Sequence, residues 1–391
     1  MTKWPVKLLC EIADVIRGVS FDKSQVSDFS GDGCIPILRA GNIQDTLITD
    51  NDLVFVQPDI VKKEQIIKAG DLAICMSSGS PAIVGKSAYA NANWNGAVGA
   101  FCAIIRFKKN MHHRFGAYWF KSVDYLQWRD SKAKGANIQN LRRSELEKIL
   151  IPLPPLPEQE RIVKLLDDAD ELRKLRGQAD KRSAKLIPAL FEEMFGDVSK
   201  NSQNWQIEKL GQITSIESTL VDPRNSKYAE LPHIGADRIE RDSGKLLEAK
   251  TAREDGLVSA KFIFDERDVL YSKIRPNLRK VALPIGKGLC SADMYPIRPG
   301  SKLIREFLWA YLLTDFFTAR AVDLSARANM PKLNRVQFES IACPVPPIDL
   351  QQEFAFRVSE IRSLESSQSS SRKNLDALFQ SMLHRAFEGG L

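Results

Sequence analysis

A run of prolines that opens into heptad-spaced residues occurs twice in this sequence, in one phase, and limits what the chain can fold into. The first copy is Ile151-Pro152-Leu153-Pro154-Pro155-Leu156-Pro157-Glu158-Gln159-Glu160-Arg161. Proline fixes its own φ, lacks an N–H and drives the preceding residue to extended geometry. The segment therefore reads as a stiff connector that ends where a helix begins. Beyond it Ile162, Leu165, Ala169, Leu172, Arg176, Ala179, Ser183, Leu186 and Leu190 alternate by three and four, the spacing of a coiled-coil seam. Pro344-Val345-Pro346-Pro347-Ile348-Asp349-Leu350-Gln351 repeats the joint 192 residues later (344 − 152 = 192). The same offset places Phe354, Arg357, Ile361, Leu364, Gln368, Ser371, Leu375, Leu378 and Met382 on the second seam. Both seams turn polar at one midpoint, Arg176 and Gln368.

The repeat extends through the chain. Trp4, Leu9 and Ile12 are echoed by Trp205, Leu210 and Ile213, and Ile35-Pro36-Ile37-Leu38 by Leu231-Pro232-His233-Ile234. Gly70-Asp71-Leu72 is echoed by Arg267-Asp268-Val269. The unit written twice is a globular part, a prolyl joint and a long helix. Its expected divisions are 1–150, 151–197, 198–343 and 344–391. Strands are expected at Ile35–Leu38, Leu53–Val56, Leu72–Met76, Val98–Phe107, Phe262–Phe264 and Val269–Ile274, and helices around Phe115 to Arg129 and Leu303 to Arg320. A helix of roughly 35 residues is about 50 Å long and cannot bury its stripe alone. The obvious mate is the other helix. The expected fold class is α+β: two mixed α/β domains separated by two long helices in an antiparallel coiled coil, a pseudo-twofold internal repeat with the domains at opposite ends. Pro188 should kink or break the first helix near its end. The run Ser366 to Ser371 has poor helix propensity, yet the unbroken seam phase favours helix over a serine-rich linker.

Charge distribution points toward nucleic acid. The total, 56 Lys+Arg against 49 Asp+Glu, is only mildly basic. From Leu72 to Val123, however, there is no Asp or Glu, while Lys86, Arg106, Lys108, Lys109, Arg114 and Lys121 fall inside. From Val269 to Ala292 there is again no acid, with Lys273, Arg275, Arg279, Lys280 and Lys287 and with Asn277 interleaved. Ahead of each prolyl joint lies another such stretch: Lys132, Lys134, Arg142 and Arg143 with Asn137, Gln139 and Asn140, then Arg327, Lys332 and Arg335 with Asn329 and Asn334. Cations near phosphates give affinity through counterion release, and amide side chains beside them read base edges. Any single window also fits an ordinary solvated face. Four windows, paired across the repeat, point to double-stranded DNA, with Lys86, Lys134, Asn137, Gln139, Lys273, Arg275, Asn277, Arg279, Lys280, Arg327, Asn329 and Lys332 as candidate contacts.

Other chemistry finds little support. Gly79 to Ser87 looks like a phosphate loop but is one residue too long, with no helix pattern after it. His112-His113 are adjacent rather than at ligand spacing, and the six scattered cysteines have no close pair, so no metal site and no cofactor are expected. The same cysteine pattern fits reduced thiols in the cytoplasm. No signal-type segment follows Met1, and no apolar run is long enough for a membrane span. Glu248-Ala249-Lys250 matches half of a nuclease carboxylate–lysine pattern and leaves a self-sufficient nuclease as one alternative; a coiled-coil scaffold without DNA is another.

On the segment from Ile151 to Ile162, its weaker copy from Pro344 and the helix end Leu190-Phe191-x-x-Met194-Phe195-Gly196, the chain resembles the specificity subunit of type I restriction–modification systems. The resemblance covers essentially the whole chain. It implies that each globular part is a target recognition domain reading half of a bipartite site. It implies that the helices act as a ruler and as the platform for two methyltransferase subunits carrying S-adenosylmethionine. Restriction subunits with ATP-driven translocation would join through the methyltransferase. Under it the chain is not an enzyme, and Pro154, Pro155, Glu158, Gln159, Pro346, Pro347 and Gln351 dock partners. The second joint departs from the pattern, with Asp349-Leu350-Gln351-Gln352 in place of Pro157-Glu158-Gln159-Glu160.

Overall fold

A computed structural model describes residues 4–27, 33–80, 82–132, 139–325 and 331–391. The chain divides into two compact units, Met1–Leu175 with Ser371–Leu391, and Arg176–Ser370. Each unit joins one globular part to pieces of both long helices.

In the first unit, Ala13–Arg17, Cys102–Phe107, Leu72–Cys75 and Ser87–Tyr89 form an antiparallel sheet in that order. In the second unit Thr214–Ile216, Met294–Pro299, Val269–Ser272 and Val281–Ala282 form its counterpart in the same order. The central strands Leu72–Cys75 and Val269–Ser272 are buried at every position; the first is apolar throughout, and in the second the Ser272 hydroxyl at the end donates to the Ile274 carbonyl at 3.2 Å. Each begins beside the same device. Arg106 grips the buried Asp71 through Nε and Nη2 at 2.8 and 2.7 Å, and Arg298 Nε donates to the buried Asp268 at 2.6 Å. A second sheet in each unit differs in order. Ile35–Leu38 lies between Val54–Val56 and Ala97–Val98, whereas Gly288–Cys290 lies between Lys261–Phe264 and His233–Ile234.

The expected Val98–Phe107 strand is interrupted by a turn at Gly99 to Phe101, and each expected domain helix is two: His113–Trp119 with Val123–Lys132, and Arg305–Leu313 with Asp315–Ser325. The first prolyl joint starts as a strand, Leu150–Pro152, paired with Val6–Leu8; Ala342–Val345 pairs likewise with Gln206–Lys209.

The long helices run Leu156–Ser183, Leu186–Phe195 and Ile348–Glu388. The interruption at Ala184 and Lys185 follows from Pro188, which has no N–H to offer the Ala184 carbonyl four residues back. The serine run is helical throughout. The seam, however, is shifted at alternate positions. Ile162, Leu166, Ala169, Ser183, Ile187 and Phe191 are buried, while Leu172 and Leu186 are 53% and 43% exposed. The second helix repeats the shift: Phe354, Val358, Phe379 and Leu383 are buried, while Leu364 and Leu378 are 48% and 52% exposed. A seam can be read three-then-four or four-then-three. Both readings share Ile162, Ala169, Arg176 and Ser183, and the adjacent apolar pairs Leu165-Leu166 and Leu186-Ile187 leave them undistinguished in sequence.

In the first unit, Arg173 Nε meets Asp376 at 2.7 Å and its guanidinium lies 4.5 Å from the Phe379 ring. There too Phe387 packs on Phe115 with ring centres 5.0 Å apart, and Trp4 Nε1 donates to the Ala386 carbonyl at 3.2 Å. In the second unit Ser183 Oγ donates to Gln368 Oε1 at 2.9 Å, and Phe195 packs on Phe307 at 4.9 Å and Phe354 at 5.2 Å. The aromatic pairs Phe115–Phe387 and Phe307–Phe195 are equivalent across the 192-residue offset (307 − 115 = 387 − 195 = 192).

Candidate nucleic-acid interface

Of the sequence-selected residues that are described, Lys86 and Gln139 in the first domain and Lys273, Arg275, Asn277, Arg279, Lys280 and Lys332 in the second lie at one corner of their domain. In the first unit the strand Leu72–Cys75 runs out at Met76, where neighbours hold the chain on three sides. The Cys75 N–H donates to the Lys86 carbonyl at 2.9 Å, and the Gly85 N–H donates to the Cys75 carbonyl at 2.8 Å. The N–H groups of Met76 and Ser77 both donate to the Phe101 carbonyl, at 2.8 and 3.0 Å. The Leu141 N–H donates to the Met76 carbonyl at 2.8 Å, which seats Gln139–Asn140 against Ser77–Ser78.

The second unit builds the same corner from different residues. The Ser272 N–H donates to the Lys280 carbonyl at 3.0 Å, the Lys273 N–H to the Asp293 carbonyl at 3.1 Å and the Leu333 N–H to the Lys273 carbonyl at 2.9 Å. Ile274 pairs with Lys332, and the Arg275 N–H donates to the Pro331 carbonyl at 2.8 Å. Lys86 thus corresponds to Lys280, Phe101 to Asp293 and Leu141 to Leu333.

The turn ahead of the lysine needs a left-handed residue in both. The first unit uses Gly85, with φ +77°, where a Cβ would lie 2.4 Å from Arg129 Cδ. The second uses Arg279, with φ +46°, and a further left-handed arginine, Arg275 with φ +50°, opens the same turn around Pro276–Leu278. A side chain in this region costs roughly 1–2 kcal/mol. Such strain persists where surrounding structure imposes it, and it gathers at functional sites. Arg275, Asn277 and Lys332 are exposed around this turn, as is Lys86 on the other domain.

Several candidates are turned inward instead. Lys273 is 9% exposed, donates to the Ala292 carbonyl and lies 5.0 Å from the Tyr295 ring centre. Burial, and after it the nearby Lys332 charge, lowers its pKa. The Lys280 ammonium donates to the Ala236 carbonyl, and Arg279 pairs with Asp315. In this structure these three side chains contact the turn's own surroundings, whereas Arg275, Asn277 and Lys332 are exposed. The acid-free window of the first domain is likewise not acid-free in space. Arg106 pairs with Asp71, Lys108 with Asp14 at 3.6 Å and Arg114 with Asp167 at 2.6 Å. Lys134, Asn137, Arg327 and Asn329 lie outside the described residues, and for Gln139 only the backbone is described. Sequence reasoning missed Gln44, whose Oε1 lies 3.4 Å from Lys86 Nζ; it stands in no basic run that would have marked it.

At the prolyl joints, Pro155 and Pro347 are exposed, Pro154 and Pro346 are buried, and half-buried Glu158 pairs with Arg161 at 2.8 Å. Gln159 and Gln351, also selected for docking, are 0% exposed. Gln159 accepts from the His112 N–H at 2.7 Å and donates to the Pro154 carbonyl at 2.7 Å. Gln351 accepts from the Ile304 N–H at 2.8 Å and donates to the Pro346 and Lys302 carbonyls at 2.8 and 3.0 Å. Each amide pins its joint to the domain behind it. Gln351→Ala should lower stability by about 1–3 kcal/mol, because it orphans buried polar groups; urea unfolding measures this, and an unchanged midpoint would refute the pin.

Glu248 and Lys250 are exposed, and Arg238 Nη1 donates to the Glu248 carbonyl at 2.6 Å. No group of three His, Cys, Asp or Glu side chains able to hold a metal occurs among the described residues. His112 and His113 stack on each other, and His113 Nδ1 meets Tyr89 Oη at 2.5 Å. Lys86 leads into the strand Ser87–Tyr89 rather than a helix, unlike a phosphate loop. The six cysteines are unpaired, and no helix among the described residues is long and apolar enough to cross a membrane.

Comparison with known proteins places this architecture. The chain is 27% identical over 428 residues to the EcoKI specificity subunit of Escherichia coli (strain K12), covering 99% of this chain and 89% of that one. It is 26% identical over 422 residues to the StySPI specificity subunit of Salmonella potsdam, with the same coverage. A crystal structure of a type I restriction–modification S subunit from M. genitalium shares the fold at a TM-score of 0.57 and 14% identity, over 99% of this chain and 96% of that one. A chain from a structural study of type I R-M complex assembly and conformational transition does so at 0.60 and 18%, over 99% and 98%. A family model described as the type I restriction modification DNA specificity domain matches twice, at residues 1–180 and 202–370. With both copies of the repeat matched, the chain belongs to the type I restriction–modification DNA specificity family.

Proposed function

We propose that this chain is the sequence-specific DNA-recognition subunit of a type I restriction–modification complex in the cytoplasm. Residues 1–150 and 198–343 are two target recognition domains, each reading one half of a bipartite site. Residues 151–197 and 344–391 carry the helices, which pair as an antiparallel coiled coil, set the gap between half-sites and dock two methyltransferase subunits. Exposed Pro155 and Pro347, with Glu158, supply the docking edge at the start of each helix. Restriction subunits join through the methyltransferase, and the chemistry belongs to those partners rather than to this chain.

The observation that carries the reading is the corner built twice. Two domains with dissimilar sequences bring Lys86 and Gln139, and Arg275, Asn277 and Lys332, to the same place at the end of the same strand. The helix pairing is supported by Arg173–Asp376 in one unit and Ser183–Gln368 in the other, where rising residue numbers on one helix meet falling numbers on the other.

Methylome sequencing of cells carrying the intact system tests the assignment: a bipartite methylated motif is expected, and its absence would refute the reading. In the purified complex, Lys332→Ala should weaken binding across sequences and reduce the salt slope by about one. Arg275→Ala should cost about 1–3 kcal/mol and relax the preference at one base pair. Unchanged binding in both variants would remove this corner from the interface.

A further inference from the structure

The corner of the first domain holds a residue the second does not. Phe101 is 67% exposed, in the middle of the acid-free window, where the equivalent position is Asp293. A lone exposed apolar side chain ordinarily needs no explanation. This one is held as a feature of the corner. Its carbonyl takes two N–H donors, from Met76 and Ser77, and the turn that carries it is closed by the Cys102 N–H donating to the Gly99 carbonyl at 2.8 Å. Cys102, directly after it, is buried and in register with Cys75. The ring is therefore displayed from a fixed backbone.

Its neighbours define what it faces. In the sheet the strands of Phe101, Met76 and Lys86 lie side by side, so Phe101 and Lys86 stand two strand spacings apart, roughly 10 Å. That is about three base-pair steps of duplex. A corner that sets Lys86 on a phosphate brings the Phe101 ring to the same groove, together with Gln139–Asn140 beside Ser77–Ser78.

We infer that Phe101 wedges between two base pairs of the half-site read by the first domain, unstacking one step and making recognition there depend on how easily that step opens. The inference rests on the proposed DNA-reading role. A duplex offers an apolar ring two targets, a thymine methyl in the groove or the faces of a parted step. Only the second covers the ring on both faces, and a largely exposed ring on a rigid turn matches it. Asp293 cannot wedge, so the two half-sites are read by different means, one including shape and one without it.

The test uses the complete complex with its methyltransferase subunits and a duplex carrying its methylated motif, with 2-aminopurine placed at each successive position of the half-site. The expected result is enhanced fluorescence at one step on binding, lost in Phe101→Ala. That variant should bind about 5- to 150-fold more weakly, with an unchanged salt slope, and Phe101→Trp should recover binding. Circular dichroism and the melting midpoint should match the parent, because the side chain is 67% exposed. Phe101→Ala binding within twofold of the parent, or no fluorescence change at any step, would overturn the wedge. So would a loss of affinity on replacing one thymine by uracil that disappears in Phe101→Ala, since that identifies a methyl contact. Failure of the wedge leaves recognition standing if Lys86→Ala still lowers the salt slope; failure of the parent complex to bind its motif at all would strike the recognition reading itself.

Discussion

Arg106→Ala should lower the stability of the first unit by about 3–5 kcal/mol, the cost of stripping the partner from a buried charge. Asp71 is 2% exposed and takes both guanidinium hydrogen bonds, so the variant leaves its carboxylate with the Lys68 N–H at 2.7 Å as its remaining donor. The same change removes donors to the Glu64 and Ile66 carbonyls. Arg106→Lys should not restore the parent value, because an ammonium cannot reproduce the two-pronged grip. Asp71→Ala combined with Arg106→Ala should be less damaging than the sum of the single changes, which a double-mutant cycle in urea measures. Additive effects would mean that the pair contributes nothing as a pair.

Deleting one heptad from each long helix, residues 173–179 and the equivalent 365–371 (173 + 192 = 365), should change the gap that the system recognises. Seven residues shorten a helix by about 10 Å and preserve the seam phase. At about 3.4 Å per base pair the methylated motif should keep both half-sites and lose about three base pairs between them. The duplex turns once in about 10 base pairs, so the second half-site also presents a rotated face and methylation should become less efficient. A methylome with an unchanged gap would end the ruler interpretation. Altered half-sites with an unchanged gap would place spacing in the globular domains.

The duplication and the helices were legible because they rest on long periodic signals. Proline chemistry alone placed both joints, and a missing N–H at Pro188 placed the break before it. Half of each seam was not legible. Apolar residues sit side by side at Leu165-Leu166 and Leu186-Ile187, and only the tertiary packing around each helix, domain core included, decides which of each pair turns in. The basic windows led to two corresponding corners, but their local charge count does not survive in space. Arg106 and Arg114 find their acids at Asp71 and Asp167, far away in sequence, and a local count cannot see such pairs. Within the corners it is backbone hydrogen bonding that separates exposed Arg275 and Lys332 from inward Lys273 and Lys280. Gln159 and Gln351 stood out as motif residues, yet their amides face carbonyls and N–H groups that no motif displays.

The seating of Phe387 against Phe115 also bears on biogenesis. Phe387 follows Phe115 by 272 positions (387 − 115 = 272), and Ala386 and Leu383 belong to the same core. Ribosomes add roughly 5–20 residues per second, so the first unit waits tens of seconds for its last wall. During that interval a newly made domain carries an open apolar face while the second is still being translated. A nonsense codon near Ser371 would strand the earlier domain, not the later one, and chaperone dependence should be greatest for the half of the protein that is synthesised first.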